Sequence, residues 1–334
     1  MRFRENKTLQ NISMDNMKTR LGLTLLGLKG FGKVKAREII RLSNTLPETT
    51  EGIAELLAEV SEKTAKKLPA VNITDISSAM TLANKTIEDC AARDISISFV
   101  EPSRDCQWKS RFSRIPNPPL LLFSLGNTEI LNGPSIAIIG TRQPTSWGEK
   151  SAIRFAEISV EQGFCVVSGL ALGCDIAAHK GALQANGSTA AVLAHGLDSV
   201  HPRQHSSVAR EILENGGCLL SEYPPGVGPE RGNFVERDRL QSGASLGVIV
   251  IETTIDGGSM HTVRFAEKQK RLVGCIDHPV KFHDLKSVKG NRKLLDDGAS
   301  AIKDRDDLEQ FLKLCSNPGE SGDQSALQQA DLFL

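Results

Sequence analysis

Neither sign of charge is in excess in this chain: 40 Lys and Arg stand against 40 Asp and Glu over 334 residues. That excludes a globally basic coat for a polyanion but leaves room for a local basic groove. The seven cysteines are scattered, form no C-x-x-C pair, and in several cases sit inside apolar runs, where cysteine behaves as a small hydrophobe. They indicate neither a disulfide framework nor a zinc site, and no metal or other cofactor is expected. No apolar stretch approaches the length of a membrane span, and no signal-like core follows Met1. The expectation is a soluble, cytoplasmic protein without a membrane partner. A dinucleotide fingerprint is also missing, since the glycine after Gly140 is Gly148 and no ribose-binding acid follows at the usual offset. An NAD-dependent oxidoreductase is thereby disfavoured.

What is present centres on Ile136 to Arg142. A β-branched apolar run stops at Gly140, Thr141 and Arg142 follow, and a helical pattern begins with Ala152, Phe155, Ala156 and Val160 on one side. This reads as a buried parallel strand, a tight turn and a helix. Such a turn leaves amides beside a helix N-terminus, where an anion is stabilised. Thr141 can add a hydroxyl and Arg142 a two-pronged phosphate contact. On this turn alone a plain strand–helix connection is an equal reading. The downstream pattern decides between them. Apolar strands are expected at 164–168, 189–193, 218–221, 247–251 and 272–276, separated by helical segments of about a dozen residues. That alternation predicts an α/β fold with a doubly wound, mostly parallel sheet. Ligands of such sheets lie outside the carboxyl ends of the strands. Here those ends carry Gly140-Thr141-Arg142, Ser168-Gly169, Gly196, Ser221-Glu222 and Gly257-Gly258-Ser259. Recurrent glycine and hydroxyl residues at one rim favour a phosphate-bearing ligand.

The flanks differ. Residues 1–87 read as a small helical domain, in which Gly30 and Gly32 bracket Phe31 between two apolar helical segments. This is the helix-hairpin-helix pattern. It either holds a nucleic-acid phosphate at Gly30, Gly32 and Lys33, reinforced by Lys29, Lys35 and Arg37, or serves only for packing. Residues 88–134 read as a connector containing the first strand of the main domain, at 120–123, and residues 135–313 as the Rossmann-like domain. Beyond Lys313 no Lys or Arg occurs, and 314–334 reads as a flexible tail ending in Gln329, Ala330, Asp331, Leu332, Phe333 and Leu334. Apolar residues closing a solvated tail suit another protein's groove.

Ile139 to Arg142, Ser168 to His179, Gly196 to Arg203, Ser221 to Gly226, Asn233 to Ser242, Gly258 to Thr262, and Gly290-Asn291 with Gly298-Ala299 follow one another in an order that resembles the DprA/Smf family of DNA-processing proteins. The likeness runs from about 100 to 303. It implies an extended Rossmann-like domain that binds single-stranded DNA, dimerises, and in transformable bacteria protects incoming strands and helps load the RecA recombinase. Carried over by residue, the DNA site comprises Gly140, Thr141, Arg142, Ser168, Gly169, Arg203, Phe234, Arg237, Arg239 and Ser242, with Gly258 and Ser259 at the same rim. Glycine turns and arginines suit phosphates, and Phe234 suits base stacking. The chain departs from the family at His201, where tyrosine is usual, and at Asp238, where asparagine is usual. The tail stands in place of the family's C-terminal winged helix, so RecA loading is less firmly implied than DNA binding. The tail peptide is similar to the motif that bacterial replication proteins insert into the sliding clamp, with Gln329 and Asp331 polar and Leu332 and Phe333 filling an apolar pocket.

Several sharper readings have plainer competitors. Gly243 to Gly247 has nucleophile-elbow spacing around Ser245, but it runs from helix into strand, the reverse of what that mechanism needs. His179 is expected to pack on its helix rather than act as a base. Glu222 and Glu252 at strand ends are expected to orient Arg142 and Arg239 rather than form an acid–base pair. Two functions remain: a non-enzymatic single-stranded DNA binder serving recombination or repair, or a nucleoside-monophosphate phosphoribohydrolase using the same pocket. Gly257 to His261 keeps only the first glycines of that enzyme's turn, which favours binding.

Overall fold

The computed structural model describes residues 14–65 and 67–317, so the tail peptide with Gln329, Asp331, Leu332 and Phe333 lies outside the described residues. The chain divides into two units. One runs through Val100 and takes in Pro119–Leu122, and the other holds Glu101–Pro118 and the residues from Phe123 onward.

In the first unit, helices α1 (Met14–Gly27), α2 (Lys33–Leu42), α3 (Thr50–Thr64) and α4 (Ile73–Ala91) precede strand β1 (Ser96–Phe99). The boundary expected at residue 87 falls inside α4. Local chemistry sets the helix starts. The Thr49 hydroxyl accepts from the Gly52 N–H at 3.1 Å, and Asn72 and Asp75 cap one another around the start of α4. Leu21, Leu25, Ile39, Ile53, Leu57 and Ile76 fill the core between the helices. Between α1 and α2, Leu28 and Phe31 turn inward while Lys29, Gly30 and Gly32 stay exposed. Gly30 takes φ +85°, which suits glycine, and Lys33 opens α2. The cations expected to strengthen a phosphate site here are partly engaged already. Lys35 donates to the Gly30 carbonyl at 2.9 Å, and Arg37 donates to the carbonyls of Val100 and Pro119 at 2.5 and 2.6 Å. Arg37 is a tie within its own unit rather than part of a phosphate surface.

Residues 88–134, expected as a connector with short strands at 95–100 and 120–123, hold a helix besides. They hold β1, helix α5 (Gln107–Ser113) and strand β2 (Leu121–Gly126), which starts in the first unit and continues into the second. The second unit then alternates strand and helix: β3 (Ser135–Ile139), α6 (Ser146–Glu161), β4 (Cys165–Ser168), α7 (Cys174–Gln184), β5 (Thr189–Leu193), α8 (Ser206–Glu214), β6 (Cys218–Ser221), α9 (Arg231–Ala244), β7 (Gly247–Val250), α10 (Ser259–Lys268), β8 (Leu272–Ile276), α11 (Lys289–Asp296), β9 (Ser300–Ile302) and α12 (Arg305–Ser316). The sheet order is β1-β2-β6-β5-β4-β3-β7-β8-β9. Every pairing from β6 across to β9 is parallel, and β2 runs antiparallel to β6 with Phe123 opposite Ser221. The expected doubly wound, mostly parallel sheet is therefore present.

Strand periodicity builds a core on each face. Ile136 and Ile138 pack with Ala152 and Phe155 of α6 and Phe311 of α12, whereas Ala137 and Ile139 pack with Met260 and Val263 of α10 and Leu294 of α11. All five residues of β3 are buried, as a strand covered by helices on both sides requires. From β3 the chain steps through β4, β5 and β6 on one side and then returns to β7, β8 and β9 on the other. The reversal opens a crevice beyond the carboxyl ends of β3 and β7.

Candidate functional site

The loops at that crevice are shaped by close packing. A Cβ on Gly140 would stand 2.4 Å from the Cys174 sulfur at the start of α7, so only glycine lets β3 and α7 approach this closely. The Thr141 N–H donates to the Glu252 carbonyl at 2.7 Å, which locks the loop after β3 to the loop after β7. The Thr141 hydroxyl accepts from the Gln143 N–H at 3.2 Å, so part of its hydrogen-bonding capacity shapes its own turn. The Glu252 carboxylate accepts from the Thr145 N–H at 2.9 Å and its hydroxyl at 2.6 Å, setting the start of α6. Burial raises a carboxylate, but the His278 imidazole 3.7 Å away and the bonds from Thr145 outweigh it and hold Glu252 below the ordinary range. Glu252 thus anchors α6 and does not orient Arg142.

A cavity of about 680 Å³ opens above these loops, between α9 and the start of α10. Gly140, Thr141, Arg142, Phe234, Arg237, Gly258 and Ser259, all expected at a phosphate rim, line it together. The exposed Arg142 holds its guanidinium 5.3 Å from the centre of the Phe234 ring, a cation–π pair at the mouth. His201 lies on from Phe234 with ring centres 6.4 Å apart. The ten-residue α10 begins at Ser259 in the cavity wall, presenting the positive end of its dipole. Arg231, Asp175, Asp238, Gln241 and His261 also line the cavity; of these the sequence singles out only Asp238, where asparagine is usual in the family. A signal for most of them exists: Arg231, Phe234, Val235, Asp238 and Gln241 recur at helical spacing along one face of α9.

The floor carries mixed charge. Arg237 is 5% exposed and donates to the carbonyls of Gly169 at 2.9 Å and Val192 at 2.6 Å and to Asp238 at 3.2 Å. A Cβ on Gly169 would stand 1.8 Å from this guanidinium, so the glycine makes room for the arginine. Arg237 therefore ties α9 to the ends of β4 and β5. The Asp175 carboxylate accepts from the Gly169 N–H at 3.1 Å, and burial pushes it above its ordinary range against the pull of Arg237. Asp238 is pushed up to about 7 by burial and by Asp175, again opposed by Arg237. With its amide turned to suit both neighbours, Gln241 donates to Asp238 and accepts from the Gly169 N–H. The rim is cationic and the floor holds two acids around one arginine, so an anion is favoured at the mouth.

Five expected residues lie outside the cavity lining, the first being Gly169, whose N–H and carbonyl are taken by Asp175 and Arg237. Arg239 is 1% exposed and pairs with Glu222 and, at 3.3 Å, with Glu236. The reason is geometric: residues two apart on a helix point about 200° apart, so Arg237 and Arg239 cannot share one face. Ser242 is fully buried and its hydroxyl donates to the Arg239 carbonyl at 3.2 Å. The Ser168 hydroxyl, also buried, donates to the Ile138 carbonyl at 2.7 Å and joins β4 to β3. Arg203 is exposed in the short turn after β5. The plainer readings of the other groups hold. Ser245 is buried at the end of α9, with its hydroxyl on the Gln241 carbonyl at 2.9 Å. His179 packs in the interior with Nδ1 2.8 Å from the Thr189 hydroxyl, and burial drives its pKa down to about 3. Among the described residues no cluster of His, Cys, Asp and Glu is arranged to hold a metal, and no helix is long and apolar enough to cross a membrane.

Residues 100–313 match the family described as DNA recombination-mediator protein A. Protein Smf of Escherichia coli K12 is 41% identical over 162 residues, which is 48% of this chain and 43% of that protein. The match thus spans less than half the length of that relative. DNA processing protein A of Streptococcus pneumoniae superposes with a TM-score of 0.62 at 26% identity, covering 83% of this chain and 96% of that structure. DNA processing protein A of Helicobacter pylori, in a structure concerned with that protein's single-stranded DNA binding mode, superposes with a TM-score of 0.57 at 31% identity, covering 66% of this chain and 95% of that one.

Proposed function

Since the chain belongs to the DNA recombination-mediator protein A family, we propose that its switch-point cavity binds single-stranded DNA and that the protein is a binder rather than a catalyst. The observation that carries this reading is the pairing of Arg142 with Phe234 at the cavity mouth, beside the Gly140 turn and the start of α10. A single strand offers a phosphate and an unpaired base within one nucleotide, and a cation next to an aromatic face answers both. In a duplex the base faces are stacked and closed to Phe234. Arg142 and Arg231 meet phosphates, Phe234 receives a base, and Arg237 with Gly169 and Asp175 keeps α9 in register with the strand ends. The direct contacts thus belong to the mouth, while Arg239, Ser242 and Ser168 support the fold around it. Titration of fluorescent single- and double-stranded oligonucleotides of equal length tests the reading. Preference for the single strand by at least about tenfold is expected, and equal affinity for both forms contradicts it.

The same reading extends to partners: strands held in this way are delivered to a RecA-type recombinase in recombination or repair, by a homodimer in the cytoplasm. For the tail, the sequence Gln329, Ala330, Asp331, Leu332, Phe333 supports docking on the replication sliding clamp. Deleting residues 329–334 is expected to abolish co-elution with the clamp and to leave DNA affinity unchanged; persistent co-elution refutes the docking.

A further inference from the structure

On a chain of zero net charge, residues 278–293 hold five cations (Lys281, Lys286, Lys289, Arg292 and Lys293) against one acid, Asp284. Lys293 pairs with Asp297 at 2.8 Å, while Lys281, Lys286 and Lys289 are exposed and form no ion pair among the described residues. Aromatic rings lie among these charges. The half-buried Trp147 packs on His278 at 5.0 Å and on Phe282 at 5.5 Å between ring centres, and the Lys281 ammonium sits 5.0 Å from the Phe282 ring. Val280 beside them is 80% exposed. Capping of the α6 core by Trp147 explains the ring stack. It explains neither the concentration of unpaired lysines nor the exposed apolar surface beside them.

This patch is fastened to the cavity at two points. Trp147 stands in the first turn of α6, five residues beyond Arg142. At the start of α11 the Gly290 N–H donates to the Thr253 carbonyl at 2.9 Å, and Asn291 accepts from the Thr253 N–H at 2.8 Å. Thr253 in turn lines the cavity. We propose that Trp147, Phe282, Lys281, Lys286, Lys289 and Arg292 form a shelf over which a single strand runs as it leaves the cavity on the β7–β8 side. Lysines spaced along an exposed segment neutralise successive phosphates, and the half-buried rings offer sequence-tolerant faces to bases. The proposal rests on the single-strand reading of the cavity and adds a second contact region, so the two make different predictions about length.

The test uses the full chain and oligothymidylates of about six and about 25 nucleotides, the shorter sized for the cavity alone. The exposed triple variant Lys281→Glu, Lys286→Glu, Lys289→Glu is expected to bind the short oligomer as wild type does and the long one at least tenfold more weakly. The salt slope for the long oligomer should fall by about two, from roughly 0.7 per lost phosphate contact. The corresponding triple Arg variant should restore both. Unchanged affinity for the long oligomer, an equal loss on both lengths, or a loss traced by sizing chromatography to an altered oligomeric state overturns the shelf. Failure of wild type to bind the short oligomer counts against the cavity reading itself.

Discussion

At the residue scale, the arginines of this chain separate into those that meet solvent and those that hold the fold. Arg142 is exposed over the face of Phe234, whereas Arg239 is 1% exposed and pairs with Glu222 and Glu236. Removing Arg239 empties a buried site and strips the half-buried Glu222 of its partner, and Arg239→Ala is expected to cost about 1–3 kcal/mol of stability. Chemical denaturation checks this; an unchanged midpoint would show that the pair is not structural. Asp238 provides a pH-dependent case. Its carboxyl is pushed up to about 7 from an ordinary 3.8, mainly by burial. Folded and unfolded chains both carry the proton below about pH 4, only the folded chain carries it between about 4 and 7, and neither does above. The native state therefore loses stability relative to the unfolded chain as pH rises through that window. Asp238→Asn, which cannot ionise, is expected to match wild type near pH 4 and to surpass it progressively toward pH 8. Parallel denaturation profiles would contradict this. The same substitution removes a developing negative charge from the cavity floor, so it should also flatten any decline of anion affinity over that range.

At the element scale, what the sequence made legible follows burial. Strands β5, β6 and β8 lie where continuous apolar runs placed them, because a strand covered on both faces has no polar positions to blur its ends. Strand β9 escaped notice because it is three residues long with Ala301 exposed, too short and too open for a run. At the site, the loop after β3 is legible because close packing demands glycine there, and Gly140 is a case where any side chain collides. Helix α9 was read less well. A contiguous motif from Asn233 to Ser242 suggests one surface, but helical periodicity turns Arg239 away from Arg237, and Ser242, although on the face of Asp238, is fully buried near the end of α9. Arg231, one turn before Phe234 on the same face, was the residue that this periodicity could have added. Likewise Arg37 read as a phosphate contact because it is basic and near a hairpin, while its guanidinium in fact satisfies two backbone carbonyls.

At the scale of the whole molecule, a chain without net charge binds a polyanion only if cations are gathered locally. The topology does this by placing three loops at the reversal between β3 and β7, with Arg142 on one and Arg231 at the head of α9. On the cavity floor Arg237 lies between Asp175 and Asp238 and offsets part of their charge. The account stands or falls on whether that mouth holds phosphates. The measurement is equilibrium binding of a fluorescent single strand across a salt series, for wild type and Arg142→Ala. The account predicts that wild-type affinity falls steeply with salt, that the variant binds at least about tenfold more weakly, and that its slope is smaller by about 0.7, one phosphate contact. A variant with wild-type affinity and slope would contradict it.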